Sequence, residues 1–156
     1  MEKATFAAGC FWGVEDLFSK VNGVTSTVVG YSGGHTENPN YKDVTRGSTG
    51  HAEAVQLEFD PSVVSYKELL DTFWNMHDPT TSNRQGPDVG NNYRSIIFYH
   101  SDEQHTEALT SEERLEKSGK YRNPIVTEIV PTQPFYTAEE YHQKYLQKVG
   151  GGSCDI

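Results

Sequence analysis

The sequence predicts an α+β domain built on a ferredoxin-like β-α-β-β-α-β core with mixed or antiparallel strand pairing. Three observations carry that prediction. Apolar residues recur with a period of two, then 3.6, in the order strand, helix, strand, strand, helix, strand. Ser65-x-x-Glu68 marks the start of the second core helix as a capping box. A length of 156 residues suits one domain with a core large enough to need no staples.

Taken in order, residues 3–8 read as a short buried strand. At Gly9-Cys10 the period changes, because Val14, Leu17, Phe18 and Val21 follow at i, i+3, i+4 and i+7 on one helix face. Cys10 therefore falls at or just before a helix N-terminus. Residues 24–29 are β-branched and give the second strand. Gly30-Tyr31-Ser32-Gly33-Gly34-His35 comes next, followed by a long aperiodic loop through Asn38-Pro39-Asn40-Tyr41 to Gly50, and loops of that length are often functional. Residues 52–59 form the third strand, closed by Asp60-Pro61. Behind the capping box, Tyr66, Leu69, Leu70, Phe73, Trp74 and His77 share one helix face. A second irregular stretch, 78–92, leads into Tyr93-Arg94 and the apolar run 95–99, a central strand.

The remainder decorates this core. Ser101-x-x-Gln104 caps a polar helix to about Ser118, residues 125–130 add a strand, and Thr137-x-x-Glu140 caps a last helix through Lys148. Residues 1–149 are thus read as a single catalytic domain. Residues 150–156, Gly-Gly-Gly-Ser-Cys-Asp-Ile, have the composition of a mobile tail.

Right-handed crossovers impose the strand order fourth-first-third-second, with antiparallel neighbours. The ends of the first two strands then share an edge with the starts of the other two. Cys10, Tyr31, the Tyr41 loop, Glu53, Asp88 and Tyr93 converge there.

A net charge of −9 argues against nucleic acid or an anionic membrane as partner. No apolar run approaches the roughly 20 residues of a membrane span, and Met1-Glu2-Lys3 opens without an apolar targeting segment. A cytosolic location is expected. The two cysteines, Cys10 and Cys154, stand near opposite ends, a pattern more often catalytic or redox-active than structural in a reducing compartment.

Backbone N–H groups and the helix dipole favour a thiolate at Cys10, although a small buried cysteine that merely packs is the other reading. Glu53 shares its strand face with Val55, Leu57 and Phe59, so burial would favour its neutral form and make it a general acid beside a nucleophile. Taken alone, Glu53 reads more simply as a charge reaching water at an open strand end. Tyr41 and Tyr93 could donate O–H bonds to a substrate oxygen, but nine tyrosines make a structural role an alternative for each. Asp88 reads as a turn residue and Arg94 as a solvated or ion-paired strand terminus. The six histidines show no metal-ligand spacing. His51-Ala52-Glu53 has the H-x-E pattern of zinc deaminases without the P-C-x-x-C that should follow.

Gly9-Cys10-Phe11-Trp12-Gly13, Gly30-Tyr31-Ser32-Gly33-Gly34, Asn38-Pro39-Asn40-Tyr41, Thr49-Gly50-His51-Ala52-Glu53-Ala54-Val55, Phe73-Trp74 with His77-Asp78-Pro79-Thr80, Asn92-Tyr93-Arg94-Ser95 and residues 139–146 stand in a familiar order. Together they resemble the peptide methionine sulfoxide reductases of the A type over nearly the whole chain. The resemblance implies that Cys10 attacks the sulfoxide sulfur and Glu53 protonates the departing oxygen. Tyr41 and Tyr93 would bond that oxygen, Asp88 would hold water, and Phe11 and Trp12 would hold the substrate methyl group. Cys154 would resolve the sulfenic acid on Cys10, and a thioredoxin-type reductant would restore both thiols. The implied substrate is the S epimer of methionine sulfoxide, free or in oxidised proteins, with no bound cofactor or metal and a monomeric enzyme. Two rivals remain at this level: a cysteine hydrolase using Cys10 and His51, and a non-catalytic peptide-binding module.

Overall fold

The structure, a computed structural model, describes residues 1–149, so the expected tail and Cys154 lie outside the described residues. The chain runs β1 (Glu2–Ala8), α1 (Phe11–Ser19), β2 (Val24–Ser32), α2 (Tyr41–Thr45), β3 (Ala52–Phe59) and α3 (Tyr66–Met76). It continues through β4 (Arg84–Gln85), β5 (Asp88–Val89), a 3-10 turn (Asn91–Tyr93), β6 (Ser95–Tyr99) and α4 (Asp102–Lys117). Last come β7 (Glu128–Pro131), β8 (Tyr136–Thr137), a second 3-10 turn (Glu140–His142) and α5 (Tyr145–Lys148).

The six-stranded sheet has the order β7-β6-β1-β3-β2-β8. Its centre is the predicted fourth-first-third-second arrangement, antiparallel throughout. β7 joins β6 in parallel and makes the sheet mixed. One face carries the main core. There the rings of Phe6, Phe18 and Phe73 stack, with Phe6 5.0 Å from Phe18 and 5.2 Å from Phe73, and join β1 to α1 and α3. The other face buries Ala7, Ala52, Ala54, Ile96 and Phe98 beneath Val130 and Phe135. Every second residue of β3 from Glu53 to Phe59 is buried on the helical side, as the pleat requires.

Two of the three predicted helix starts after the first are present as drawn. Ser65 and Glu68 form the reciprocal capping box of α3, and Ser101 accepts from the Gln104 N–H at the start of α4. α1 stops at Ser19, so Val21 packs beyond the helix and Leu17 is 40% exposed. Its buried face includes Phe11 and Glu15 instead.

The last helix is far shorter than its capping signal predicts, covering only Tyr145–Lys148. Thr137 does not cap a helix through Lys148, because it lies in β8, paired with Gly30 of β2. β2 would otherwise present an open edge, and unpaired edge amides need partners. Ala138 N–H donates to Val29 O, and the Gln143 side chain both accepts from Val29 N–H and donates to Val29 O. Lys144 then takes φ 53°, left-handed backbone that no helix continues through. Satisfying the sheet edge outweighs the local capping signal.

The two irregular stretches are ordered by side-chain bonds to backbone. Gly34 shows how tightly: a Cβ there would stand 2.4 Å from both His51 N and Thr49 O. Asn91 Nδ2 donates to Gly47 O across 3.1 Å and ties the two stretches to each other. His77 donates from Nδ1 to Phe73 O and accepts at Nε2 from Ser95, whose hydroxyl also meets Thr127. Burial pushes that imidazole down to about 4, so it is neutral around pH 7.

Candidate active site

Cys10 stands where β1 gives way to α1. Gly9, at φ 103°, makes the turn that an L side chain would resist. Cys10 is the N-cap, and its carbonyl accepts the first helical bond from Val14 N–H at 3.3 Å. The half-buried thiol therefore sits at the positive end of a nine-residue helix.

Glu53 faces it from the start of β3. The side chain is 1% exposed, and one oxygen accepts the backbone N–H of Phe11 at 3.2 Å. The other accepts Asn92 Nδ2–H at 2.9 Å. One carboxyl group thus spans the residue after the cysteine and the residue before Tyr93.

Tyr41 begins α2, and Tyr93 closes the 3-10 turn. Burial, then the charge of Glu53, raises both phenols; Tyr93 is pushed up to about 12, with Asp88 and Cys10 adding to the effect. Tyr41 is raised further, by burial, Glu53, Tyr93 and Cys10 in that order. Both hydroxyls stay protonated at working pH and so remain donors. The same influences show that Cys10, Glu53, Tyr41 and Tyr93 share one electrostatic neighbourhood, with Asp88, in the β4–β5 hairpin, beside Tyr93.

Phe11 is buried, with its ring 5.7 Å from Tyr31 and 6.4 Å from Tyr41. Trp12 is half-buried and stacks on Tyr145 at 3.9 Å and 12°. Its indole N–H donates to His142 Nδ1 at 2.9 Å.

Comparison with known proteins adds the chemistry to this geometry. The family model described as peptide methionine sulfoxide reductase matches residues 2–156. The chain belongs to that family. It is 65% identical to the peptide methionine sulfoxide reductase MsrA of Methanosarcina acetivorans over 150 residues, 96% of this chain and 80% of that protein. The structure of Mxr1 from Saccharomyces cerevisiae in reduced form superposes with a TM-score of 0.91 at 41% identity, covering 99% of this chain and 88% of that one. Mxr1 in complex with Trx2 matches at a TM-score of 0.65 and 32% identity, over 92% of this chain and 84% of that one. The A-type resemblance read from the motifs is borne out.

Within this reductase fold, the sequence reading missed several residues that build the site. In the sequence Asn92 stands only as the neighbour of Tyr93. Glu139 accepts from Tyr31 O–H at 2.8 Å and from the Tyr41 backbone N–H at 3.1 Å, so it fixes the start of α2. Burial opposes its charge, but its own N–H, that of Tyr41 and the Tyr31 hydroxyl hold its carboxyl below the usual range. Glu15, 1% exposed, accepts from Thr27 at 2.8 Å and from Lys144 N–H at 2.7 Å. It thereby straps the segment after β8 onto α1. The available signals are the motif Asn92-Tyr93-Arg94-Ser95 for Asn92 and the stretch 139–146 for Glu139; Glu15, followed by Asp16, carries none.

His51 is also placed. Gly34 N–H donates to its Nδ1 and its Nε2 donates to Thr36 O, so both ring nitrogens serve the backbone of the Tyr41 loop. Among the described residues there is no group of three or more His, Cys, Asp or Glu that could hold a metal ion. No helix among them is long and apolar enough to cross a membrane.

Proposed function

We propose that the chain reduces methionine S-sulfoxide, free or within oxidised proteins, to methionine by thiol chemistry at Cys10. Glu53 carries this reading: a buried carboxyl bonded to the backbone beside Cys10 and to the side chain beside Tyr93. In the proposed step the Cys10 thiolate attacks the sulfoxide sulfur while Tyr41 and Tyr93 donate to the sulfoxide oxygen. Attack forms a bond between the two sulfurs, and Glu53 protonates the oxygen as the S–O bond breaks. The oxygen then adds to the Cys10 sulfur as the sulfur–sulfur bond breaks and releases the thioether. The net change transfers the oxygen: Cys10 thiol plus sulfoxide becomes Cys10 sulfenic acid plus thioether, two electrons passing from the cysteine sulfur to the substrate sulfur. Phe11 and Trp12 form the apolar wall for the methyl group, and Asp88 holds water beside Tyr93.

Cys154 then condenses with the sulfenic acid, releasing water and forming a disulfide. A thioredoxin-type dithiol takes up the disulfide, a role supported by the Trx2 complex of the yeast relative. In this reading residues 1–149 are the catalytic unit, residues 150–156 deliver the second thiol, and a reducing cytoplasm is the setting. The hydrolase rival is weakened, because His51 has both nitrogens committed to backbone groups.

Intact mass tests the reading. Reduced protein mixed with excess methyl sulfoxide and no reductant should lose two hydrogens while one equivalent of sulfoxide becomes sulfide. Cys10→Ser should do neither. Undiminished reduction by Cys10→Ser refutes the assignment.

A further inference from the structure

Three buried histidines surround the core, and two of them spend both ring nitrogens. His51 meets Gly34 N–H and Thr36 O, and His77 meets Phe73 O and Ser95. His142 differs. It is 1% exposed, Trp12 donates to its Nδ1, and so the proton resides on Nε2. That Nε2–H is buried without a hydrogen-bond partner among the described residues. An unpaired buried donor costs free energy, so a phenylalanine would suit a purely structural ring at this place better. The ring lies 4.5 Å from Tyr41 and 5.1 Å from Phe11, inside the site.

Trp12 has two supports. Stacking on Tyr145 fixes the plane of the indole but leaves it free to turn within that plane. The N–H bond to His142 removes that freedom. We infer that His142 is a positioning residue for the reaction: its Nδ1 sets the rotation of the Trp12 indole and thereby the width of the wall that receives the methyl group. The inference rests on the reading of Trp12 as that wall. It assigns His142 no contact with reacting atoms, so substrate affinity and selectivity should respond and the chemical step should not.

The test uses substitutions that separate ring from acceptor. His142→Phe keeps an aromatic ring and removes the acceptor, while His142→Asn places an amide oxygen near the position of Nδ1. The chain has two tryptophans, and the second, Trp74, donates to Ser111, so its indole N–H serves as an internal reference. In His142→Phe one indole N–H resonance should move upfield and exchange faster while the other stays. The half-saturation concentration for a methyl sulfoxide in single turnover should rise about tenfold, with the limiting rate changed less than about threefold. Preference for methyl over ethyl sulfoxide should narrow, and His142→Asn should recover part of both effects. In a Trp12→Phe background, which lacks the donor, adding His142→Phe should change half-saturation by less than about twofold.

An unmoved indole resonance overturns the inference, as does a moved one with wild-type half-saturation and selectivity. If His142→Phe does not fold, His142→Asn in the two backgrounds decides the same point: equal effects with and without the indole donor overturn it. A wild-type protein that reduces no sulfoxide would refute the proposed function instead, so the two failures are distinct.

Discussion

Glu53→Gln separates the proton donor from everything else the carboxyl group does. Phe11 N–H is a fixed backbone donor, so a glutamine must keep its oxygen there and turn its NH₂ toward Asn92. Two NH₂ groups would then face each other. A half-turn of the Asn92 amide restores a bond, at the expense of leaving its own NH₂ to find a new partner in a site where Asn92 is 1% exposed. One displaced buried donor costs about 1–2 kcal/mol. For a chain of this size that is a Tm lower by roughly 2–8 °C. The catalytic effect should be much larger. Sulfoxide oxygen leaves poorly unless protonated, a glutamine has no proton to give, and a general acid contributes about 10²–10⁴-fold. That corresponds to roughly 3–5 kcal/mol at the barrier. The assay is rapid-quench single turnover at saturating methyl sulfoxide, scored as sulfide formed, across the pH range in which the variant is folded. Rates within about threefold of wild type at every pH would show that Glu53 is only a strut between α1 and the Asn92 turn.

Three further outcomes are expected. His77 is held near 4, against 6.5 in an unfolded chain, so between those values the unfolded state binds more protons and stability falls on acidification. The loss across that window should reach about 3 kcal/mol; urea titrations of His77→Gln should show a flatter slope there than wild type, and equal slopes would refute the account. Glu15→Ala strands the Thr27 hydroxyl and the Lys144 N–H, a cost of about 2–4 kcal/mol, and hydrogen exchange should quicken in residues 138–149 more than in β1 and β3. Uniform acceleration would mean that Glu15 supports the whole core rather than the strap. Cys154→Ser should reduce one equivalent of sulfoxide at nearly wild-type rate and stall as a dimedone-reactive sulfenic acid. Sustained turnover with thioredoxin would show instead that the reductant attacks Cys10 directly.

Much of the site was legible because its parts obey local rules. The change of period at Gly9-Cys10 located the helix start, and crossover handedness then carried Glu53, Tyr41, Tyr93 and Asp88 to one sheet edge. Alternation along β3 foretold the burial of Glu53, since side-chain direction in a strand follows from position alone. What stayed hidden was every partner reached from a different element. Asn92, Glu139, His142 and Glu15 act through bonds between 12 and 130 residues apart in sequence, and no local period records them. The C-terminal segment marks the limit most clearly. By itself, Thr137-x-x-Glu140 favours a helix start. Only the assembled sheet supplies the competing demand, the unpaired amides of β2, and hydrogen bonds to a buried edge outweigh a cap that water could replace.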